Sequence, residues 1–160
     1  MKFKSLKIVF VLLALGFTGP VSALGQQGDS RVQVNASLIM ADEGDDTTFA
    51  TGQYQKYMTD SLLLGGIASI IDGGGFTTTT LGVTVKKAFP SGQDMVPYVG
   101  AAGLLLSSDF EDDDEFVYSI SGGADVYVDE NFGFNFDATQ GLSDDEYNDL
   151  TLSFGAFYEF

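Results

Sequence analysis

Apolar and polar residues alternate along most of the chain after residue 23. The segment RVQVNASLIM places Val32, Val34 and Ala36 on one face of an extended strand, with Gln33 and Asn35 on the other face. No segment keeps a helical period of apolar residues over three turns, and 20 glycines interrupt the apolar stretches. The pattern therefore predicts β-strands that each have an apolar and a polar face.

Eight such strands are predicted, at residues 30–41, 47–57, 61–71, 76–89, 96–107, 116–128, 133–142 and 147–160. The facing of the second, third and fifth is ambiguous. The connections after the second, fourth and sixth strands are the tight turn sequences MTDS, PSGQD and DENFG. The other four connections hold 15 of the 23 acidic residues. Alternate connections of an up-and-down meander fall on opposite ends, so one end should be strongly acidic.

Two architectures fit eight alternating strands: a soluble barrel with an apolar interior, and a transmembrane barrel with an apolar exterior. The interior of an eight-stranded barrel is narrow, which favours small and polar residues there, and the polar faces have that composition. The opposite faces carry bulky rings near the strand ends, namely Phe116, Tyr118, Phe134, Phe136, Tyr158 and Phe160. The pattern favours an all-β, eight-stranded antiparallel up-and-down transmembrane β-barrel, with these rings at the membrane interfaces.

The amino-terminal sequence predicts a secretory signal peptide. Three lysines precede the apolar run IVFVLLALGF, and the small-residue sequence VSA follows it, so we expect cleavage after Ala23. The run is about half the ~20 residues that a membrane-spanning helix needs. Residues 1–23 would then be removed, leaving a barrel domain at residues 24–160.

Composition limits both the covalent cross-links that this domain can form and the charged partners that it can attract. The chain has no cysteine, which excludes disulfides and a thiol-linked lipid anchor. Four basic residues follow residue 23, against all 23 acidic ones, so the net charge of that part is −19. Such a surface repels nucleic acid and anionic lipid and attracts cations.

Three segments together resemble a known family: YMTDSLLLGGIASI, TTTTLGVTVKKAFPSGQDMVPYVGAAGL and the terminal GAFYEF. They are similar to the small outer-membrane β-barrel family of Gram-negative bacteria, which includes opacity-type and OmpA-like eight-stranded barrels. The resemblance implies an integral outer-membrane protein with both termini in the periplasm. It also implies that Gly155, Tyr158 and Phe160 match the C-terminal signal read by the outer-membrane assembly machinery.

The polar faces near the non-acidic end carry five charged residues that we expect to form an ion-pair network in the lumen: Arg31, Lys86, Asp125, Asp137 and Glu159. A buried charge must be paired, and the first and last strands close the barrel, so Glu159 is predicted to pair with Arg31 across the seam. Asp125 with Asp137 is the only candidate acid–base pair, and a structural role is the favoured interpretation. The chain lacks histidine, and we expect neither enzymatic activity nor a cofactor.

The acidic end is a candidate for weak cation binding, although DFEDDDEF lacks the ligand spacing of an EF-hand loop. The alternative is a solvated acidic rim. Bound calcium or magnesium could bridge these loops to lipopolysaccharide phosphates. The candidate carboxylates are Asp109, Glu111, Asp112, Asp113, Asp114, Glu115, Asp144, Asp145 and Glu146.

The sequence thus predicts a structural, envelope-integrity or surface-interaction role, with outer-membrane lipid, lipopolysaccharide and the assembly machinery as partners. The alternatives are a narrow passive channel for small solutes and a soluble periplasmic ligand-binding barrel.

Overall fold

Eight antiparallel strands form a closed barrel in which each strand pairs with its neighbours in the chain and β8 returns to β1. The computed structural model describes residues 25–40, 47–73, 76–90, 94–108, 115–142 and 150–160. The predicted signal peptide lies outside these residues. The strands are β1 (Ser30–Met40), β2 (Thr47–Thr59), β3 (Leu62–Gly73), β4 (Phe76–Ala88), β5 (Met95–Ser108), β6 (Glu115–Tyr127), β7 (Phe132–Gly141) and β8 (Leu150–Glu159).

The predicted fold class is confirmed, and every strand bound lies within a few residues of its prediction. The described residues contain no helix that is long and apolar enough to cross a membrane. We call the end of the barrel that contains Ser30 and Phe160 the terminal end, and the opposite end, which contains Met40 and Leu150, the distal end.

The strands are steeply inclined to the barrel axis. Following the paired residues once round the barrel from Ser30 leads to Met40, ten residues further along β1. The path runs through Lys56, Leu64, Val85, Ala101, Ile120, Gln140 and Leu150. With eight strands, this stagger corresponds to a tilt of about 40° and to an interior only wide enough for side chains.

The outer face is apolar. On β1, Val34 is 65% exposed, whereas Gln33 and Asn35 beside it are buried in the lumen. The exposed large apolar residues cover every strand, for example Tyr54, Leu64, Leu81, Leu105, Ile120, Phe136 and Phe154. The prediction that the apolar faces of the strands point outward is therefore confirmed.

The structure also fixes the facing of the three ambiguous strands. Thr51 and Gln55 of β2, Ser69 of β3 and Tyr98 of β5 are buried, whereas Leu64 of β3 is exposed. The sequence leaves the facing of these strands ambiguous because apolar side chains occur on both of their faces. Leu63 points inward and is fully buried, next to the outward Leu64.

The lumen is not polar throughout, which corrects the prediction that the inner faces are polar. Six buried apolar or aromatic residues pack together across the terminal end: Tyr57, Leu63, Ala88, Val96, Tyr127 and Phe157. Phe157 occupies an inward position of β8 between Gly155 and Glu159, so strict alternation places this ring inside the barrel. The chain before β1 lies beside this cluster, where Gly28 N donates to Tyr57 O over 2.9 Å. Gly28 has a positive φ of 104°, a conformation that glycine adopts without strain.

The outward rings of β7 and β8 form one patch instead of being confined to the strand ends. Phe134 stacks on Phe154 with ring centroids 5.8 Å apart, and Phe136 lies 4.9 Å from the same ring. Phe136 pairs with Phe154 in mid-strand. The patch arises because Phe136 lies opposite Phe154 in register and Phe134 is its diagonal neighbour. The facing of single strands does not reveal this relation.

Candidate functional site in the lumen

Asp125 of β6 is the centre of a buried charged cluster that crosses the lumen. Both of its carboxylate oxygens accept from Arg31, with Nη1–Oδ2 at 2.6 Å and Nη2–Oδ1 at 2.9 Å. Lys86 Nζ lies 2.8 Å from Oδ2 and 3.0 Å from Oδ1. Asn135 Nδ2 also donates to Oδ1 over 3.0 Å. The carboxylate thereby joins β1, β4, β6 and β7.

Two aromatic rings complete the surroundings of the cations. The guanidinium carbon of Arg31 lies 3.6 Å from the ring centre of Phe157, and Lys86 Nζ lies 3.7 Å from that of Tyr98. Cations at such distances are attracted by the face of the ring. The charge pattern of the sequence predicts neither ring in this site, although alternation places Phe157 on the same face as Glu159.

Glu159 lies next to Arg31 across the closing seam, where the two residues are paired in register. The distance between Arg31 Nη1 and Glu159 Oε1 is 3.6 Å, within ion-pair range. The hydrogen bonds to Oε1 come instead from Tyr57 and Tyr127, at 2.7 and 2.8 Å. Arg31 and Glu159 project side by side from adjacent strands, so their ends do not meet head on. The long side chain of Arg31 extends across the lumen instead and donates to Asp125 of β6.

Asp137 accepts from hydroxyl groups. Tyr98 Oη donates to Oδ2 over 2.6 Å and Thr139 Oγ1 donates to Oδ1 over 2.5 Å. Among the described residues, none of the ion pairs involves this carboxyl group. Asn135 Nδ2 donates to the same Tyr98 hydroxyl over 2.7 Å, which connects Asp137 to the Asp125 cluster.

The geometry offers little support for acid–base chemistry by Asp125 and Asp137. Asp125 has five donor contacts, which engage all of its lone pairs. Asp137 is engaged by the hydroxyl groups of Tyr98 and Thr139, and it meets Asp125 only through Tyr98 and Asn135.

A cavity of about 250 Å³ lies on the distal side of the charged cluster. Lys86, Tyr98 and Asp137 contribute to its lining, as do Ser37 of β1 and Thr151 of β8 nearer the distal end. The packed terminal end and the charged cluster close the lumen at the end that lies nearer the termini.

The remaining predicted sites are only partly covered by the described residues. Gly155 faces the lumen against Asn35, and the Tyr158 and Phe160 rings are exposed and stack with centroids 6.4 Å apart. Of the candidate cation ligands, Glu115 is described and the other eight lie outside the described residues. Within the part of the chain that the structure describes, no three acidic side chains form a group that could hold a metal ion.

The sequence matches no protein-family model and no curated protein, whereas solved structures share its fold. The N-terminal β-barrel domain of Pseudomonas aeruginosa OprF gives a TM-score of 0.68 at 14% identity, covering 85% of this chain and 100% of that one. The outer membrane protein OprG from the same organism gives 0.63 at 12% identity, covering 87% and 99%. Neisserial surface protein A gives 0.58 at 15% identity, covering 84% and 98%. The fold is that of the eight-stranded outer-membrane barrels.

Proposed function

We propose that this chain is an integral outer-membrane barrel with its termini in the periplasm and a structural or surface-interaction role in the cell envelope. The observation that supports this most strongly is the exposed apolar outer face, which extends over all eight strands. Such a face is stable against lipid and would aggregate in water. The closed hydrogen-bonded ring fits the same environment, because lipid cannot satisfy an open strand edge.

The charges on the outer face support an orientation with the terminal end in the periplasm. The exposed lysines Lys56 and Lys87 both lie near the terminal end, where Lys87 Nζ donates to Ser61 Oγ over 2.6 Å. Lysines at this level can lay their alkyl chains along lipid and keep their ammonium groups among the headgroups. The acidic connections would then face the exterior.

Cell fractionation with a detergent gel tests the proposal. We expect the protein to sediment with outer membranes and to migrate differently in the gel before and after boiling, because a closed barrel resists unfolding by cold detergent. Recovery in the soluble periplasmic fraction would support a soluble ligand-binding barrel instead. That alternative requires the large apolar residues inside, whereas Leu81, Val83 and Phe154 are exposed.

The proposed partners are outer-membrane lipid, lipopolysaccharide and the assembly machinery. Divalent cations bound by the acidic connections would bridge them to lipopolysaccharide phosphates, and calorimetry with calcium tests this. Absence of binding heat at millimolar calcium would support the alternative, in which the acidic connections form a solvated rim without bound cations.

A further inference from the structure

The chain before β1 reverses direction at the terminal end of the barrel. We call residues 25–29 the amino-terminal strap. Asp29 N donates to Gln26 O over 3.0 Å, Gln26 N donates to Asp29 Oδ2 over 2.8 Å, and Gly28 supplies the positive φ of this turn. Gly25 is buried, whereas the three residues after it are exposed. The turn therefore directs Gly25 toward the lumen and its own side chains toward solvent.

Gly25 packs on the face of the Tyr57 ring. A Cβ atom added at Gly25 would collide with Cζ of that ring and would lie 2.5 Å from both of its Cε atoms. Equal distances to the two Cε atoms place Gly25 over the flat face at the hydroxyl end, an approach that requires a residue without a side chain. The strap thus covers Tyr57, which is 4% exposed.

Tyr57 joins the strap to the charged groups of the lumen. Its backbone exchanges hydrogen bonds of 2.9 Å with Gly28 and Asp29. Its hydroxyl donates to Glu159 Oε1 over 2.7 Å, and that oxygen lies 3.6 Å from Arg31 Nη1. The ring therefore contacts the strap through its face and the buried carboxyl group of Glu159 through its hydroxyl.

The strap is attached more weakly than the strands. Its contact from Gln27 N to Asp60 Oδ1, at 3.0 Å, is exposed to solvent. β1 is paired along its length with β2 on one side and β8 on the other. Segments that have few buried side chains and exposed hydrogen bonds open at a lower free energy than the rest of a fold. The strap can therefore lift while the barrel stays closed.

We propose that the amino-terminal strap is a lid on the terminal end of the lumen. When the strap lifts, the Tyr57 ring loses the group that covers its face, moves away from Glu159 and lets water reach the pair of Glu159 and Arg31. When the strap closes, Gly25 holds the ring in place and excludes water from that pair. Five residues outside the strands thereby control access to the charged groups from this end.

Amide hydrogen exchange followed by NMR in detergent micelles tests whether the strap opens by itself. The Gly28 amide should be protected at least tenfold relative to an unfolded chain, because it donates to Tyr57 O. Its protection should be at least tenfold lower than that of Val34 in the middle of β1. Absence of protection at Gly28 would show that the strap is not closed, and protection equal to that of Val34 would show that it opens only with the barrel. Either result would overturn the proposal.

A Gly25→Ala variant tests the coupling of the strap to Tyr57, because its methyl group cannot fit over the ring. The Tyr57 hydroxyl proton, followed through the carbon-13 signal of Cζ, should exchange at least tenfold faster than in the unmodified protein. The matched control is Gln26→Ala, which changes an exposed side chain of the same strap and keeps its backbone hydrogen bonds. Its rate should change by less than twofold. An unchanged rate in Gly25→Ala, or an equal increase in Gln26→Ala, would contradict the proposal.

Asp60→Ala loosens the strap from outside the lumen, because it removes the acceptor of the Gln27 amide. Protection of the Gly28 amide and of the Tyr57 hydroxyl should both fall at least threefold. Loss of protection at Gly28 without any change at Tyr57 would show that the strap does not control the ring. Gel migration before boiling confirms that each variant is folded, and Asp60→Ala carries the test if Gly25→Ala does not fold.

Discussion

At the scale of single residues, Asp125 stabilises the barrel through its position opposite β1. Its carboxylate receives the guanidinium of Arg31 and the ammonium of Lys86, all three being nearly inaccessible to solvent. Charges buried to this degree are tolerated only when partners replace the water that they lost. The cluster therefore depends on the one carboxylate that both cations share.

Replacing Asp125 should destabilise the protein much more than replacing Asp137. In Asp125→Asn, Arg31 and Lys86 lose their common counter-charge, and removing one partner of a buried pair costs about 3–5 kcal/mol. In Asp137→Asn, hydroxyl donors lose a charged acceptor, which costs about 1.5–3 kcal/mol. Urea unfolding in lipid vesicles measures both. Equal losses of unfolding free energy in the two variants would contradict a larger contribution from the ion pairs of Asp125.

Alternation within one strand places charged residues on a face of that strand, but it does not by itself indicate which of them are partners. Arg31, Asp125 and Glu159 are all buried. The prediction that Glu159 pairs with Arg31 followed from strand adjacency, and the two do lie 3.6 Å apart. The bidentate bond of Arg31 to Asp125 depends on strand stagger and lumen width, and neither quantity can be read from a single strand.

At the scale of strands, the sequence predicts which face points outward where one face is apolar and the other polar. It leaves the facing open where apolar residues occur on both faces. Over residues 31–38, β1 has apolar residues on one face only, and the pattern predicts its facing. β3 carries Leu63 inward and Leu64 outward, so the same criterion gave no answer. The inward apolar residue is explained by the packed cluster at the terminal end, which forms only when distant strands meet.

The seam between β1 and β8 requires a glycine at position 155. A Cβ atom there would lie 2.4 Å from the carbonyl oxygen of Val34, and backbone cannot move aside cheaply. Gly155→Ala should destabilise the barrel by about 1–3 kcal/mol. Folding into detergent micelles, without any assembly factor, measures the effect. The control is Gly52→Ala, where the nearest atom is 4.0 Å from the added carbon; an equal loss there would contradict the steric explanation.

The last ring of β8 gives a prediction about assembly in cells. Phe160 is 62% exposed, and its backbone exchanges hydrogen bonds of 2.8 and 2.9 Å with Ser30. Phe160→Ala keeps these bonds and removes only the ring. If the ring is part of the assembly signal, the amount of this variant in the outer membrane should fall several-fold, while purified protein still folds in detergent.

Phe116→Ala is the matched control for that experiment, because Phe116 is also an exposed outward ring, on β6. Its level in the outer membrane should remain close to normal. Similar losses in both variants would mean that any lipid-facing ring has the same effect.

At the scale of the whole molecule, the lumen is blocked at the terminal end. The packed apolar cluster and the Asp125 cluster lie in series there, leaving the cavity on the distal side. Planar-bilayer recording should therefore show no steady ionic conductance, because a permeating ion would have to break buried ion pairs. A stable conductance would support the narrow-channel alternative.

The charged cluster also has a mechanical consequence. Asp125 links β6 to β1 and β4 through side chains that cross the interior, and Asn135 of the neighbouring β7 donates to the same carboxylate. An uneven lateral force would push the barrel toward an elliptical cross-section, and the two cross-lumen links oppose that change in the half near the termini. The distal half encloses a cavity instead and resists less. The cross-section of the barrel should therefore stay more nearly circular near the termini than at the distal end.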